Sequence, residues 1–120
     1  MTCTMPREIK EKWVGALRSG EYKQGKDKLR VEHMDGAHYC CLGVLQQILD
    51  GDVERDSKGI SFGLPTLAWA KKWDIGCDGV EFWCPMVITP QGGRLLSGVN
   101  DDGTSFATIA DLIEQQIEAV

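Results

Sequence analysis

Apolar residues recur along this chain at helical spacing in four places. Within residues 6–19, Ile9, Trp13, Ala16 and Leu17 fall three or four apart, while Arg7, Lys10, Glu11, Lys12 and Arg18 lie mostly elsewhere. One apolar stripe with a charged back is an amphipathic helix. Thr4 is placed to cap it, Pro6 suits its first turn and Gly20 closes it. The densest apolar run, AHYCCLGVLQQILD at residues 37–50, reads as the central helix. Its stripe is Cys41, Val44, Leu45, Ile48 and Leu49, and Cys40 and Leu42 widen it until more than half its circumference needs cover. Gly51 supplies the stop. Gly43 inside the run costs about 1 kcal/mol relative to alanine, a cost that close approach of another backbone would offset.

A shorter helix opens at residues 63–65, with Pro65 in its first turn. It carries Leu64, Leu67, Ala68, Trp69 and Trp73, and Lys71 and Lys72 suit the negative end of its dipole. The final helix is the cleanest: Thr104 or Ser105 caps it, and Phe106, Ile109, Ala110, Ile113 and Ile117 form its stripe. Asp111 and Glu114 face out.

The other pattern is extended. Residues 29–32 alternate and end at the turn Met34-Asp35-Gly36. Residues 80–84 and 86–89 are β-branched and aromatic and are separated by Pro85. A turn at 90–93 leads to a returning strand over 94–99. Residues 21–28 and 52–61 are polar loops, and 76–79 and 100–103 are turns. The expected fold is α+β: a single domain, 1–120, with about four helices on a small antiparallel sheet.

Composition fits that picture. The chain has 120 residues, 42% hydrophobic and 26% charged, enough for one core. No apolar run approaches the roughly 20 residues of a membrane helix. The opening MTCTMPREIKEKW lacks the apolar centre of a secretory signal, so the expected location is cytoplasmic. Five cysteines (Cys3, Cys40, Cys41, Cys77 and Cys84), an odd number, are expected to be reduced thiols. The net charge of −5 argues against direct binding to a nucleic-acid backbone. The charge is uneven: residues 1–30 carry +4 and residues 31–120 carry −9.

Candidate chemistry narrows quickly. Cys40 or Cys41 with His33 or His38 lacks a third orienting group and sits in an apolar helix, so these cysteines are read as packing. Paired zinc knuckles, a calcium loop closed by Glu and Gly-rich phosphate loops are all missing from the sequence, and no metal or cofactor is expected. Two features remain. Arg18, Lys23, Lys26, Lys28 and Arg30 form a basic stretch that can meet an anion. Four tryptophans, two tyrosines and three phenylalanines exceed what one small core absorbs. Phe82 and Trp83 would face opposite ways on a strand, leaving one ring outside the core as a stacking platform.

Several fragments together resemble a widespread group of small proteins of tailed bacteriophages and prophages. They are Trp13 with Ala16-Leu17-Arg18-Ser19-Gly20, Tyr22, Gln24-Gly25, and Tyr39-Cys40-Cys41-Leu42-Gly43-Val44-Leu45. Leu64-Pro65, Trp69-Ala70 and Asn100-Asp101-x-Gly103-x-Ser105-Phe106, then Ile109-Ala110-Asp111-x-Ile113-Glu114, complete the match. The resemblance departs at Thr108, where such relatives carry Glu and so gain a capping box. It implies a phage origin and an accessory role toward the host, and it names no reaction.

Three functions are weighed on this basis. The first is a non-catalytic, counter-defence protein that sequesters a small anionic, nucleotide-type immune signal. Its expected ligand-binding residues are Arg18, Tyr22, Lys23, Gln24, Lys26, Tyr39, Trp83, Asn100 and Asp101. The second is an inhibitor that binds a host or CRISPR-type defence protein through the acidic section. The third is a small hydrolase using Asp101 or His38. Pairing into a homo-oligomer is compatible with each.

Overall fold

The computed structural model describes residues 3–76 and 81–120. Within them the chain is an α+β domain with five helices and three small sheets. The order is β1 (Thr4–Met5), α1 (Arg7–Ser19), β2 (Lys23–Gln24), β3 (Arg30–His33), β4 (Gly36–Tyr39), α2 (Cys41–Asp50) and α3 (Leu67–Lys72). It continues with β5 (Met86–Thr89), β6 (Gly92–Leu95), α4 (Leu96–Asp101), α5 (Phe106–Gln116) and β7 (Glu118–Ala119). Among the described residues no helix is long and apolar enough to cross a membrane.

The helical stripes become the core. Ile9, Trp13 and Leu17 of α1 meet Ile109, Ala110 and Ile113 of α5, with Leu42, Val44 and Leu45 of α2 beneath. Trp13 is fully buried, its indole N–H donates to the Cys41 carbonyl at 2.8 Å, and its ring tilts against Trp83 at 6.1 Å. Gly20 and Gly51 end their helices at φ 78° and 77°, left-handed values that glycine adopts freely. The cost of Gly43 is offset as expected: a Cβ there would lie 1.8 Å from the Leu29 carbonyl oxygen. Lys10 Nζ donates to the Glu114 and Ile117 carbonyls at 2.9 and 2.6 Å, satisfying the C-terminal end of α5.

Several boundaries differ from the sequence reading. Thr4 does not cap α1; it lies in β1, paired parallel to β7, and the Arg7 amide reaches the Val120 carbonyl instead. The central helix begins four residues late. Residues 37–39 belong to β4, in antiparallel register with β3, and Cys40 caps α2 by accepting the Gly43 amide on its sulfur at 3.4 Å. Lys23–Gln24, read as loop, pairs parallel to β4. Pro65 precedes the cap of α3, which is Thr66. Residues 81–83 form no strand beyond a bridge from Phe82 to Thr66. The returning strand is only Gly92–Leu95, because Leu96 turns the chain into α4. The turn expected at 76–79 and Cys77 lie mostly outside the described residues.

Cys40, Cys41 and Cys84 are free thiols, whereas Cys3 is disulfide-bonded, so the expectation of uniformly reduced cysteines fails at Cys3. Burial pushes the Cys40 thiol up to about 11, and it raises Cys41 as well. Burial therefore favours the protonated thiol at both positions.

Candidate functional site

The site is organised around a loop, residues 24–30, laid against the hairpin β3–β4. Its backbone is held at nearly every step. Gly25 donates to the Tyr39 carbonyl at 2.7 Å and accepts from Asn100 Nδ2 at 2.8 Å. The Asp27 amide donates to Asp101 Oδ1 at 3.0 Å. Lys28 donates to the Lys26 carbonyl at 2.8 Å, Leu29 to Phe62 at 2.8 Å and Arg30 to Ser61 Oγ at 3.0 Å. Asp27 has a φ of 68°, tolerable for Asp because its short polar side chain suits the left-handed region. Gly25 fits closely here: a Cβ would come to 3.0 Å from the His38 Cβ, so a larger residue needs the hairpin to give way.

This loop and the hairpin enclose an open groove of about 540 Å³ lined by Gln24, Gly25, Lys26, Asp27, Lys28, Val31, His33 and His38. Val31 and His33 alternate along β3, and His38 stands opposite Val31, so all three face the same side. The His33 and His38 rings stack at 4.0 Å with a tilt of 39°. Lys26 and Lys28 are exposed on the rim and make no ion pair among the described residues. His38 Nε2 donates to Asp35 Oδ1 at 2.9 Å, and Lys23 Nζ meets Asp35 Oδ2 at 3.1 Å. These two bonds, His38 first, hold the Asp35 carboxyl down at about 2. The volume suits a small ligand, and the wall offers cationic and flat ring surface.

The expected site residues divide into three groups. Gln24 and Lys26 line the groove, and Lys23 braces its hairpin turn. Asn100 and Asp101 support it from behind. Asn100 is fully buried, with Oδ1 accepting from Gln24 Nε2 at 3.0 Å and the Cys41 amide at 3.2 Å, and with both amide hydrogens donated, to Gly25 and Asp101. Its hydrogen-bonding capacity is filled by protein, so it positions the loop. Tyr22 packs edge-on against buried Tyr39 at 5.5 Å, and burial raises its phenol. The Arg30 guanidinium sits 5.6 Å over the Tyr39 ring. Neither tyrosine is among the residues lining the groove.

Two residues fall away from the groove. Arg18 lies on α1, clamped to Asp111 at 2.6 Å and Glu114 at 2.9 Å, which raises its pKa further. It lines a different groove, about 380 Å³, between α1 and α5. Trp83 is 1% exposed and packed on Trp13; the outward ring of the pair is Phe82, 42% exposed. The aromatic expectation therefore holds for the wrong residue, because the core filled its remaining space with the larger ring. Val31, His33 and His38 are not among the expected ligand-binding residues; His38 enters the sequence reading only for a hydrolase and, with His33, as the partner of a thiol. Their signal was the alternation in RVEH and the turn that returns His38 to Val31.

Among the described residues no three metal-ligating side chains converge. No curated protein and no solved structure shows significant similarity to the chain. The profile of a family described as a domain of unknown function, DUF8296, matches residues 5–117, nearly the full length. The chain is therefore a member of the DUF8296 family.

Proposed function

We propose that this protein is a non-catalytic, phage-encoded accessory factor that sequesters a small anionic, nucleotide-type signal in the host cytoplasm. The observation that carries the reading is the pair Lys26 and Lys28. Both stand free of ion pairs among the described residues, on a loop fixed by backbone bonds, at the rim of a groove floored by Val31, His33 and His38. A held loop loses little backbone freedom on binding, and its two lysines are left to meet a phosphate. Imidazole faces and a valine offer a base a surface to stack on. The phage origin rests on the sequence resemblance, and the counter-defence role follows from that origin by association.

Native mass spectrometry with a panel of cyclic and ADP-ribose nucleotides tests the reading. The expected outcome is a stoichiometric mass addition by at least one nucleotide. Lys26→Glu with Lys28→Glu should then weaken binding by at least tenfold, because two charge-assisted contacts become repulsive. Bare protein with every nucleotide would remove the proposal.

A further inference from the structure

His33 and His38 are the chain's only histidines, and both line the groove beside Lys26 and Lys28. Their rings stack with centroids 4.0 Å apart. Histidine is the side-chain type whose ordinary titration falls between about pH 5 and 8. Other groups nearby are moved out of that range. Asp35 is held down at about 2 and stays a carboxylate, and burial pushes the Cys40, Cys41 and Cys84 thiols up.

The charges facing the pair are unevenly placed. On the loop, Lys26, Asp27 and Lys28 line the same groove, two cations against one carboxylate. Asp101, behind the loop, is engaged by Asn100 and by the Asp27 amide. From the turn, Asp35 Oδ1 lies 2.9 Å from His38 Nε2, and Lys23 of β2 holds the other oxygen at 3.1 Å. Arg30 and Glu32 alternate with Val31 and His33 along β3, so they stand on the opposite face, paired with each other at 2.6 Å. His33 has its ring contact with His38 but no hydrogen-bond or ion-pair partner among the described residues.

The two imidazoles therefore differ. A proton on His38 is met by the Asp35 carboxylate. A second proton, on His33, would set two imidazolium rings 4.0 Å apart beside two lysines, and like charges that close oppose one another. An anion seated in the groove supplies the counter-charge that this wall lacks. The occupied groove then holds more protons than the empty one, so by linkage its affinity rises as pH falls.

We propose that the His33–His38 pair couples anion capture in this groove to uptake of a solvent proton on His33, so that the ligand is held more tightly at acid than at alkaline pH. The inference rests on the reading of the groove as a nucleotide site and adds its regulation. ADP-ribose and cyclic AMP are the probes, because their phosphate groups do not titrate in the histidine range. Isothermal titration calorimetry should show binding about fivefold tighter, or more, at about pH 5.5 than at about pH 8. Between those values the measured enthalpy should shift with the ionisation enthalpy of the buffer, as it must when binding draws a proton from it. His33→Gln cannot take up that proton and should lose most of the pH gain and the buffer dependence. Circular dichroism should show its fold retained, because His33 is exposed. Equal affinity at both pH values, or an enthalpy independent of buffer, would overturn the proposal and leave the nucleotide reading standing. A pH gain that persists in His33→Gln would also overturn it, by placing the proton elsewhere. Binding of neither probe at either pH would overturn the nucleotide reading and this proposal together.

Discussion

Gly43 and Gly15 are both glycines inside helices, and the sequence alone treats them alike. Their surroundings do not. A methyl group at Gly43 would collide with the backbone of Leu29, 1.8 Å away, whereas one at Gly15 would meet nothing within 4 Å. Backbone cannot yield as a flexible side chain does. Gly43→Ala is expected to lower stability by about 3 kcal/mol or more. Gly15→Ala should raise it by up to about 1 kcal/mol through helix propensity. Urea unfolding of the two variants checks the contrast. The role of Gly43 was readable as a question, a cost in need of an offset, but the answer was a carbonyl brought in from residue 29. Asn100 shows the same limit more sharply. As part of Asn100-Asp101-Asp102-Gly103 it reads as a turn residue open to ligand, yet it is the fully buried hub that joins α4 to Gln24, Gly25 and Cys41. Nothing local distinguishes an amide that caps a turn from one that closes a core.

At the scale of elements, the hairpin β3–β4 governs the candidate groove, and its turn is held by Asp35. The folded carboxyl sits at about 2, below its ordinary value near 3.8, because His38 and then Lys23 bond the ionised form. A lowered pKa means the folded state favours the carboxylate. The contribution is therefore present above about pH 4 and is lost as pH falls toward 2. In an acid titration followed by NMR, the Asp35 carboxyl is expected to titrate near pH 2. Asp35→Asn should remove that step. Midpoints at the ordinary aspartate value would show that the turn bonds do not hold. The same hairpin explains why the densest apolar run was read too long. Ala37, His38 and Tyr39 fit a helical stripe by spacing, but register with β3 makes them a strand, and only Cys41 onward is free to coil. The returning strand failed for a related reason: Leu96 and Val99 lie three apart as helical residues do, and they bury as a helix in the core.

Across the whole molecule, α1 and α5 meet through Ile9, Trp13, Leu17, Ile109 and Ile113, with Arg18 bridging their exposed edge to Asp111 and Glu114. Arg18 thus performs a packing task where the sequence offered a ligand contact. Arg18→Ala is expected to change stability little, as loss of exposed pairs does, and to leave the proposed nucleotide binding at the groove unchanged. Loss of binding in that variant would return Arg18 to the site. The chain by itself determined the α+β class, the stripes of α1, α2 and α5, the glycine stops at Gly20 and Gly51, and a cap at Thr104 or Ser105, because each depends on neighbours within a turn or two. Tertiary structure decided the parallel pairings of β1 with β7 and β2 with β4, the burial of Trp83 in place of Phe82, and the grouping of Lys26, Lys28, His33 and His38. Those outcomes depend on which distant segments compete for the same space, and spacing along a chain carries no record of that competition.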